Sequence, residues 1–327
     1  MAEFAQALET LARKRLGGGG IAGLARITAG ATQEIWRFEL EKDGAREPLI
    51  LRRAPGEGLR LSESAVGLET EAELIGAAAE KGVPVPAVRY VLAPEDDLGR
   101  GFVCTFVAGE TLGGRIAKSD AFAAVRPKLA GQCGGILARL HTLEPERFPG
   151  LRRATTPELL AGYKAAYRAA GWPRPVFELA FRWLEDRMPP PPEAPRLVHG
   201  DFRNGNLIVD ANKGVVAVLD WEIAHVADPM EDLGWICANC WRFGVEEKPV
   251  GGFGEREALW DAYEAAGGAR VRRDHAHWWE VYGSLRWGVM CAGMTAAFRG
   301  ADPSVERAVI ARRASENEID LLRLIAA

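Results

Sequence analysis

The chain has 327 residues, a net charge of −4, 48% hydrophobic and 26% charged residues, and five cysteines. That length exceeds a common single domain of about 100–200 residues and suggests two lobes, while the mild acidity and the absence of long basic runs argue against a nucleic-acid-binding surface. The odd, scattered cysteines (Cys104, Cys133, Cys237, Cys240, Cys291) argue against a disulfide framework; with no secretory signal at the start and no stretch near the roughly 20 apolar residues of a membrane span, a cytoplasmic protein without a membrane partner is the expectation.

Phe4, Ala7, Leu8, Leu11 and Ala12 recur at helical spacing, so residues 2–16 read as an amphipathic helix stopped by the glycine run 17–20. In residues 24–40 two β-favouring segments flank Ala29–Thr32 and read as a hairpin, and 48–55 is a third short strand. Residues 65–81 read as a helix ending at Gly82 and "VPVP". Two further strands follow in "PAVRYVLA" and "GFVCTFVAGE". After Gly109 the character changes. Helices are expected at 120–143, 156–188, 229–241, 254–267, 274–299 and 303–325, with a small β insertion at 197–219 entered through the proline-fixed "RMPPPPEAP". The chain therefore reads as α+β: a small strand-rich lobe, residues 1–107, and a larger helical lobe, residues 108–327. A cleft between two such lobes is a natural ligand site.

The stretch "LVHGDFRNGNLIVD" (197–210) packs a histidine, an aspartate, an arginine, two asparagines and two glycines between segments that favour burial. "LIV", "DANKG" and "VVAVL" then make a tight hairpin. A hairpin brings its ends together, so Asn206 before it and Asp220 after it should sit side by side, with Asp201 on the same loop. Oxygen ligands supplemented by water and phosphate are how Mg²⁺ is usually held. Two carboxylates and an amide at one loop edge suggest a metal–phosphate site with a spare base.

The pattern His199-x-Asp201-x4-Asn206, a hairpin and then Asp220 matches the kinase-superfamily catalytic loop and metal-binding aspartate. "HGDFRNGN", "DWE" (220–222) and "ADPMEDLGW" (227–235) resemble the aminoglycoside phosphotransferase and choline kinase-like family, where protein kinases carry His-Arg-Asp and Asp-Phe-Gly. "GATQEIWRFEL" and "PVGGFGEREALWDAY" add a likeness to the phosphotransferase domains associated with acyl-CoA dehydrogenase-like proteins. The resemblance implies a bilobal protein-kinase-like fold with an antiparallel-sheet nucleotide-binding lobe. It implies ATP (or GTP) and Mg²⁺ as cofactors and a small-molecule hydroxyl as acceptor.

By the same resemblance, Asp201 accepts or orients the acceptor proton, Arg203 offsets charge on the transferred group, and His199 orients the loop. Asn206 and Asp220 hold Mg²⁺, Asp232 braces the loop backbone, and Glu222 supports the metal site. In the first lobe, Gly30 and Thr32 belong to the phosphate cover, and Thr105, Phe106 and Val107 supply backbone groups to the adenine edge. The usual strand lysine is absent. Arg52 stands in its place, with Arg53 as the alternative, since strand alternation points the two apart. Arginine can bridge two phosphates with its planar fork. The acidic partner is Glu71, with Glu69 as the alternative.

Cys237-Ala-Asn-Cys240 lacks the second ligand pair of a zinc site and reads as a buried helix. In "RRDHAHWWEVYGSLRWGVMCAGM" (272–294) the plain reading is a core helix; as a lining of the acceptor pocket it would offer His275, Trp278 and Trp287. Aminoglycosides are polycations and need an acidic pocket. Glu316, Glu318 and Asp320 read as a solvated helix face, which favours a hydroxylated metabolite, such as a hydroxyacyl compound, as acceptor. The missing lysine and single-glycine phosphate turn motivate an alternative from another class, a nucleotide-binding pseudokinase or scaffold.

Overall fold

The computed structural model describes residues 2–27, 33–54, 65–300 and 305–326. It opens with α1 (Ala2–Arg15), then β1 (Gly20–Ile27), β2 (Glu34–Lys42), β3 (Ala45–Ala54), α2 (Leu68–Glu80), β4 (Val88–Val91) and β5 (Arg100–Thr105). These strands form one antiparallel sheet in the order β1-β2-β3-β5-β4. Its two faces are covered differently. Leu49 and Leu51 join Leu8, Leu11, Trp36, Phe38 and Val103 in a core under α1. Ile50 and Ala54 pack instead against the large core that contains α2. Successive strand residues face opposite sides, so Arg53 turns towards α1, its guanidinium carbon 4.2 Å from the Phe4 ring centre, and Arg52 turns towards α2.

The helical part comprises α3 (Gly113–Lys118), α4 (Arg126–Leu140), α5 (Thr156–Ala170), α6 (Pro175–Asp186), then β6 (Arg196–Val198), β7 (Leu207–Asp210), β8 (Gly214–Val218), β9 (His225–Ala227), and α7 (Met230–Trp235), α8 (Arg256–Ala265), α9 (Arg273–Arg299), α10 (Val305–Arg312) and α11 (Ala314–Ala326). No described helix is long and apolar enough to cross a membrane.

Several expectations are corrected. The helix expected at 156–188 is two, because Gly171 caps α5 in the left-handed region and Pro173 and Pro175 follow. The 303–325 helix also breaks in two, between Arg312 and Ala314. Helix 229–241 ends at Trp235 and resumes only as a 3-10 turn over Asn239–Trp241, so the two cysteines do not share one helix; both are buried and unpaired. The β insertion has four strands, since β9 returns to pair with β6.

Backbone bonds join the two parts. Glu110 and Val209 exchange N–H···O bonds of 2.9 and 3.0 Å, tying the segment after β5 to β7. The Val218 amide donates to Pro84 O at 2.8 Å, and the Val66 amide donates to Glu222 O at 2.8 Å. The β7–β8 hairpin is thereby fixed beneath the sheet and α2.

Candidate active site

The loop between β6 and β7 is held from below. Asp232, fully buried at the start of α7, accepts from the His199 amide (2.8 Å), the Gly200 amide (2.9 Å) and His141 Nε2 (3.2 Å). Burial alone would raise its pKa; the bonds from His141 and the His199 amide keep the carboxyl below its ordinary value. Gly200 has a φ of 78°, and a Cβ there would lie 2.7 Å from Ile223 O, so the turn requires glycine. His199 Nδ1 accepts from the Asp201 amide at 3.2 Å, which leaves Nε2 to donate to Leu219 O at 3.1 Å. Burial pushes this imidazole below its usual range, so it is neutral. It links the Asp201 turn to the residue before Asp220.

Asp201 accepts three donors. Arg203 Nε lies 3.1 and 3.2 Å from its two oxygens, Asn206 Nδ2 is 2.7 Å from Oδ2, and Trp235 Nε1 is 2.7 Å from Oδ1. Asn206 Nδ2 also donates to Asp201 O at 3.0 Å, so the amide nitrogen faces Asp201 and its oxygen is directed away. The Leu219 amide donates to Asn206 O at 2.8 Å and holds the far end of the hairpin beside the loop. Asp220 itself adopts φ 69°, rare for a non-glycine residue, and its side chain is 36% exposed.

Arg52 comes to the same place from β3. Its Nη1 donates to Glu71 Oε1 at 2.5 Å, its Nη2 to Gln33 Oε1 at 2.9 Å, and Nη2 stands 3.8 Å from Asp220 Oδ1. Glu71 is 1% exposed; burial pushes its carboxyl up, and the Arg52 charge counters that. Glu71 Oε1 also accepts from the Trp221 amide at 3.3 Å, joining α2 to the segment after Asp220. Burial, with Asp220 and Glu71 close by, pushes Glu222 up to about 7. The alternatives left open by the sequence are now placed. Arg53 pairs with Glu34 and Glu69 with the exposed Arg100, both away from Asp220.

The donor set fits a magnesium–phosphate site. No group of three His, Cys, Asp or Glu side chains is built to hold a metal among the described residues. Mg²⁺ asks for less, one or two protein oxygens with the rest from water and phosphate. The Asp220 carboxylate and the outward-facing Asn206 oxygen are of that kind. A fixed guanidinium beside them suits phosphate oxygens.

The family described as "Phosphotransferase enzyme family" (APH) matches residues 23–270, which covers this whole constellation. The chain belongs to that family. Among curated relatives, the chain is 30% identical over 203 residues to acyl-CoA dehydrogenase family member 10 of Mus musculus, a match covering 59% of this chain and 18% of that protein. The match thus spans under a fifth of that relative's length. Among solved structures, the choline/ethanolamine kinase family protein from Mesorhizobium loti superposes with a TM-score of 0.65 at 21% identity, over 100% of this chain and 98% of the other. Spectinomycin phosphotransferase, in complex with ADP and spectinomycin, gives 0.68 at 13% identity, over 98% and 97%. At these identities the likeness establishes a kinase-like fold.

Other expected site residues fare differently. Gly30 and Thr32 lie outside the described residues. The Thr105 and Phe106 amides are already donated, to Ala87 O (2.9 Å) and Pro48 O (3.0 Å). A nucleotide edge along this segment is therefore left with the Val107 amide and with carbonyls, a narrower set than expected. Trp278 is a core residue, 1% exposed, with Nε1 donating to Leu184 O and its ring stacked on Tyr282. His275 is half-buried one turn earlier. Trp287 alone connects to the site. It packs on Trp241, whose ring carries the Arg203 guanidinium at 4.2 Å. At 1.5 Å per helical residue, Trp278 and His275 lie about 13 and 18 Å from Trp287 along α9, which is why one helix cannot bring all three to Asp201. Sequence reasoning missed Trp235 and Trp241; the signal was present only as aromatic residues in and just after "ADPMEDLGW".

Proposed function

We propose that this chain transfers the γ-phosphoryl group of ATP, with Mg²⁺, to the hydroxyl of a small metabolite. Residues 1–107 act as the nucleotide-binding lobe and 108–327 as the catalytic and acceptor-binding lobe. The observation that carries this reading is the convergence of Arg52, Glu71 and Asp220 from three separate elements beside the Asp201–Asn206 loop. The ADP bound by spectinomycin phosphotransferase supports an adenine nucleotide as donor.

In this mechanism Asn206 and Asp220 hold the metal, which supplies neutralisation of charge on the phosphates. Arg52, fixed by Glu71, directs its remaining N–H groups at phosphate oxygens. Asp201 receives the acceptor hydroxyl. Both of its oxygens already carry two donors, so one donor must yield. Arg203 is the one suited to do so, with the longest bonds and a side chain 22% exposed. Released, its charge can meet the transferred phosphoryl group. Catalysis is then positioning and charge neutralisation.

The acceptor we favour is neutral or anionic. Arg203 covers Trp241 and Arg313 lies 5.4 Å from the Trp287 ring centre, so these aromatic faces already carry cations. The acidic residues that could have formed a polycation trough are engaged: Glu316 with Arg313, Glu318 with Arg174, and Asp320 with Asn239. The likeness to an acyl-CoA dehydrogenase family member supports a hydroxyacyl compound over an aminoglycoside. The test is ³¹P NMR of Mg²⁺·ATP with a panel of hydroxy acids, hydroxyacyl thioesters, amino alcohols and aminoglycosides. Formation of a phosphate monoester on a hydroxy acid or its thioester is expected. Nucleotide binding with no transfer to any acceptor or to water would favour the scaffold reading instead.

A further inference from the structure

The indole of Trp235 donates to Asp201 Oδ1 at 2.7 Å from a position 2% exposed. Its ring is held on several sides. The Arg286 guanidinium carbon lies 4.2 Å from the ring centre, and Trp241 packs edge-on at 5.2 Å. Arg286, itself buried, pairs with Glu231 Oε1 at 3.2 Å, and Glu231 Oε2 meets His225 Nε2 at 3.1 Å. The preceding Gly234 sits so close to α9 that a Cβ would lie 2.5 Å from the Trp279 carbonyl carbon. The indole therefore has one position available to it. A cation over its face draws electron density from the ring and strengthens N–H donation. Of the three donors on Asp201, Arg203 is partly exposed and Asn206 also faces the metal side; the Trp235 N–H has no other acceptor among the described residues.

We propose that Trp235 is a positioning residue, fixing the plane of the Asp201 carboxylate so that the edge vacated by Arg203 faces the acceptor hydroxyl. This rests on the reading of Asp201 given above. Trp235 touches neither nucleotide nor acceptor in this scheme. It acts through Asp201 alone, and its loss lowers kcat without altering nucleotide affinity.

The test uses the full chain with Mg²⁺·ATP and water as the acceptor, a reaction that needs no knowledge of the metabolite. Two variants are compared: Trp235→Phe, and 3-benzothienylalanine placed at 235, which keeps the bicyclic shape and replaces the N–H by sulfur. Both are also made on the Asp201→Asn background. The expected result is a kcat lower by about 10–100-fold, unchanged KM for ATP and unchanged ADP affinity, with no further loss on the Asp201→Asn background. A purely structural role would give losses that add to that of Asp201→Asn. Wild-type kcat in the benzothienyl variant, or additive losses, overturns the proposal while the reading of Asp201 stands. Full turnover by Asp201→Asn alone overturns that reading and this proposal with it. If Trp235→Phe does not fold, the sulfur analogue decides.

Discussion

The Arg52 guanidinium donates to Glu71 at 2.5 Å while standing 3.8 Å from Asp220, so a strand, a helix and the end of a hairpin meet at one cation. The Arg52 side chain is 15% exposed and Glu71 is 1% exposed. Removing one member of a buried pair strands the other, at a cost of about 3–5 kcal/mol. Glu71→Ala should accordingly lose stability of that order in denaturant unfolding. Arg52→Lys should fold, since a charge remains opposite Glu71. One ammonium cannot replace the fork that also reaches Gln33, and ADP affinity should fall by about tenfold. Unchanged affinity in calorimetry would remove Arg52 from the nucleotide site.

Asp232 predicts a different kind of loss. Its carboxylate receives two backbone amides of the β6–β7 loop and His141. Asp232→Asn sets an NH₂ group against donors that need an acceptor. Stability should fall by about 1.5–3 kcal/mol, the scale of a hydrogen bond to a charged group. Turnover at a temperature where the variant remains folded should fall further than that loss of stability accounts for, because His199 and Gly200 set the direction of Asp201. Melting curves and single-turnover rates on one preparation separate the two effects.

The bracing behind the site should depend on pH. Burial alone would lower the His225 pKa, but Glu231 outweighs burial and raises it above its ordinary value. Both ring nitrogens face acceptors, Ile223 O at 3.0 Å and Glu231 Oε2 at 3.1 Å, an arrangement satisfied by the imidazolium. A raised folded-state pKa contributes stability that is fully present below the unfolded value of about 6.5 and is lost as pH rises through the folded value. The melting temperature should therefore fall between pH 6 and 9 more steeply in the wild type than in His225→Gln. Equal slopes would assign the pH dependence elsewhere.

Much of this site is legible in the sequence because its geometry follows from chain connectivity. The "DANKG" turn must return the chain, so Asn206 had to meet Leu219, the residue before Asp220. Strand alternation had to separate Arg52 from Arg53, although only the placement of α1 and α2 decides which one faces the cleft. What could not be read depends on packing between distant segments. Trp235 reaches Asp201 across 34 residues because α7 is pressed against α9, and no local spacing encodes that contact. Trp278 read as a pocket candidate because a helical stripe of tryptophans looks alike whether it lines a cavity or a core. The amides of Thr105 and Phe106 looked available until the register of β5, and Ala87 beside it, took them. The extra strand β9 is three residues long, too short for an alternation pattern to register.

We propose that Asp201 directs an acceptor for phosphoryl transfer from Mg²⁺·ATP. Its most direct test is the single-turnover rate of Asp201→Asn beside its ADP affinity. The expected rate is lower by about 10²–10⁴-fold, the range of a lost general base, with ADP bound as tightly as by the wild type. Transfer at the wild-type rate would contradict it.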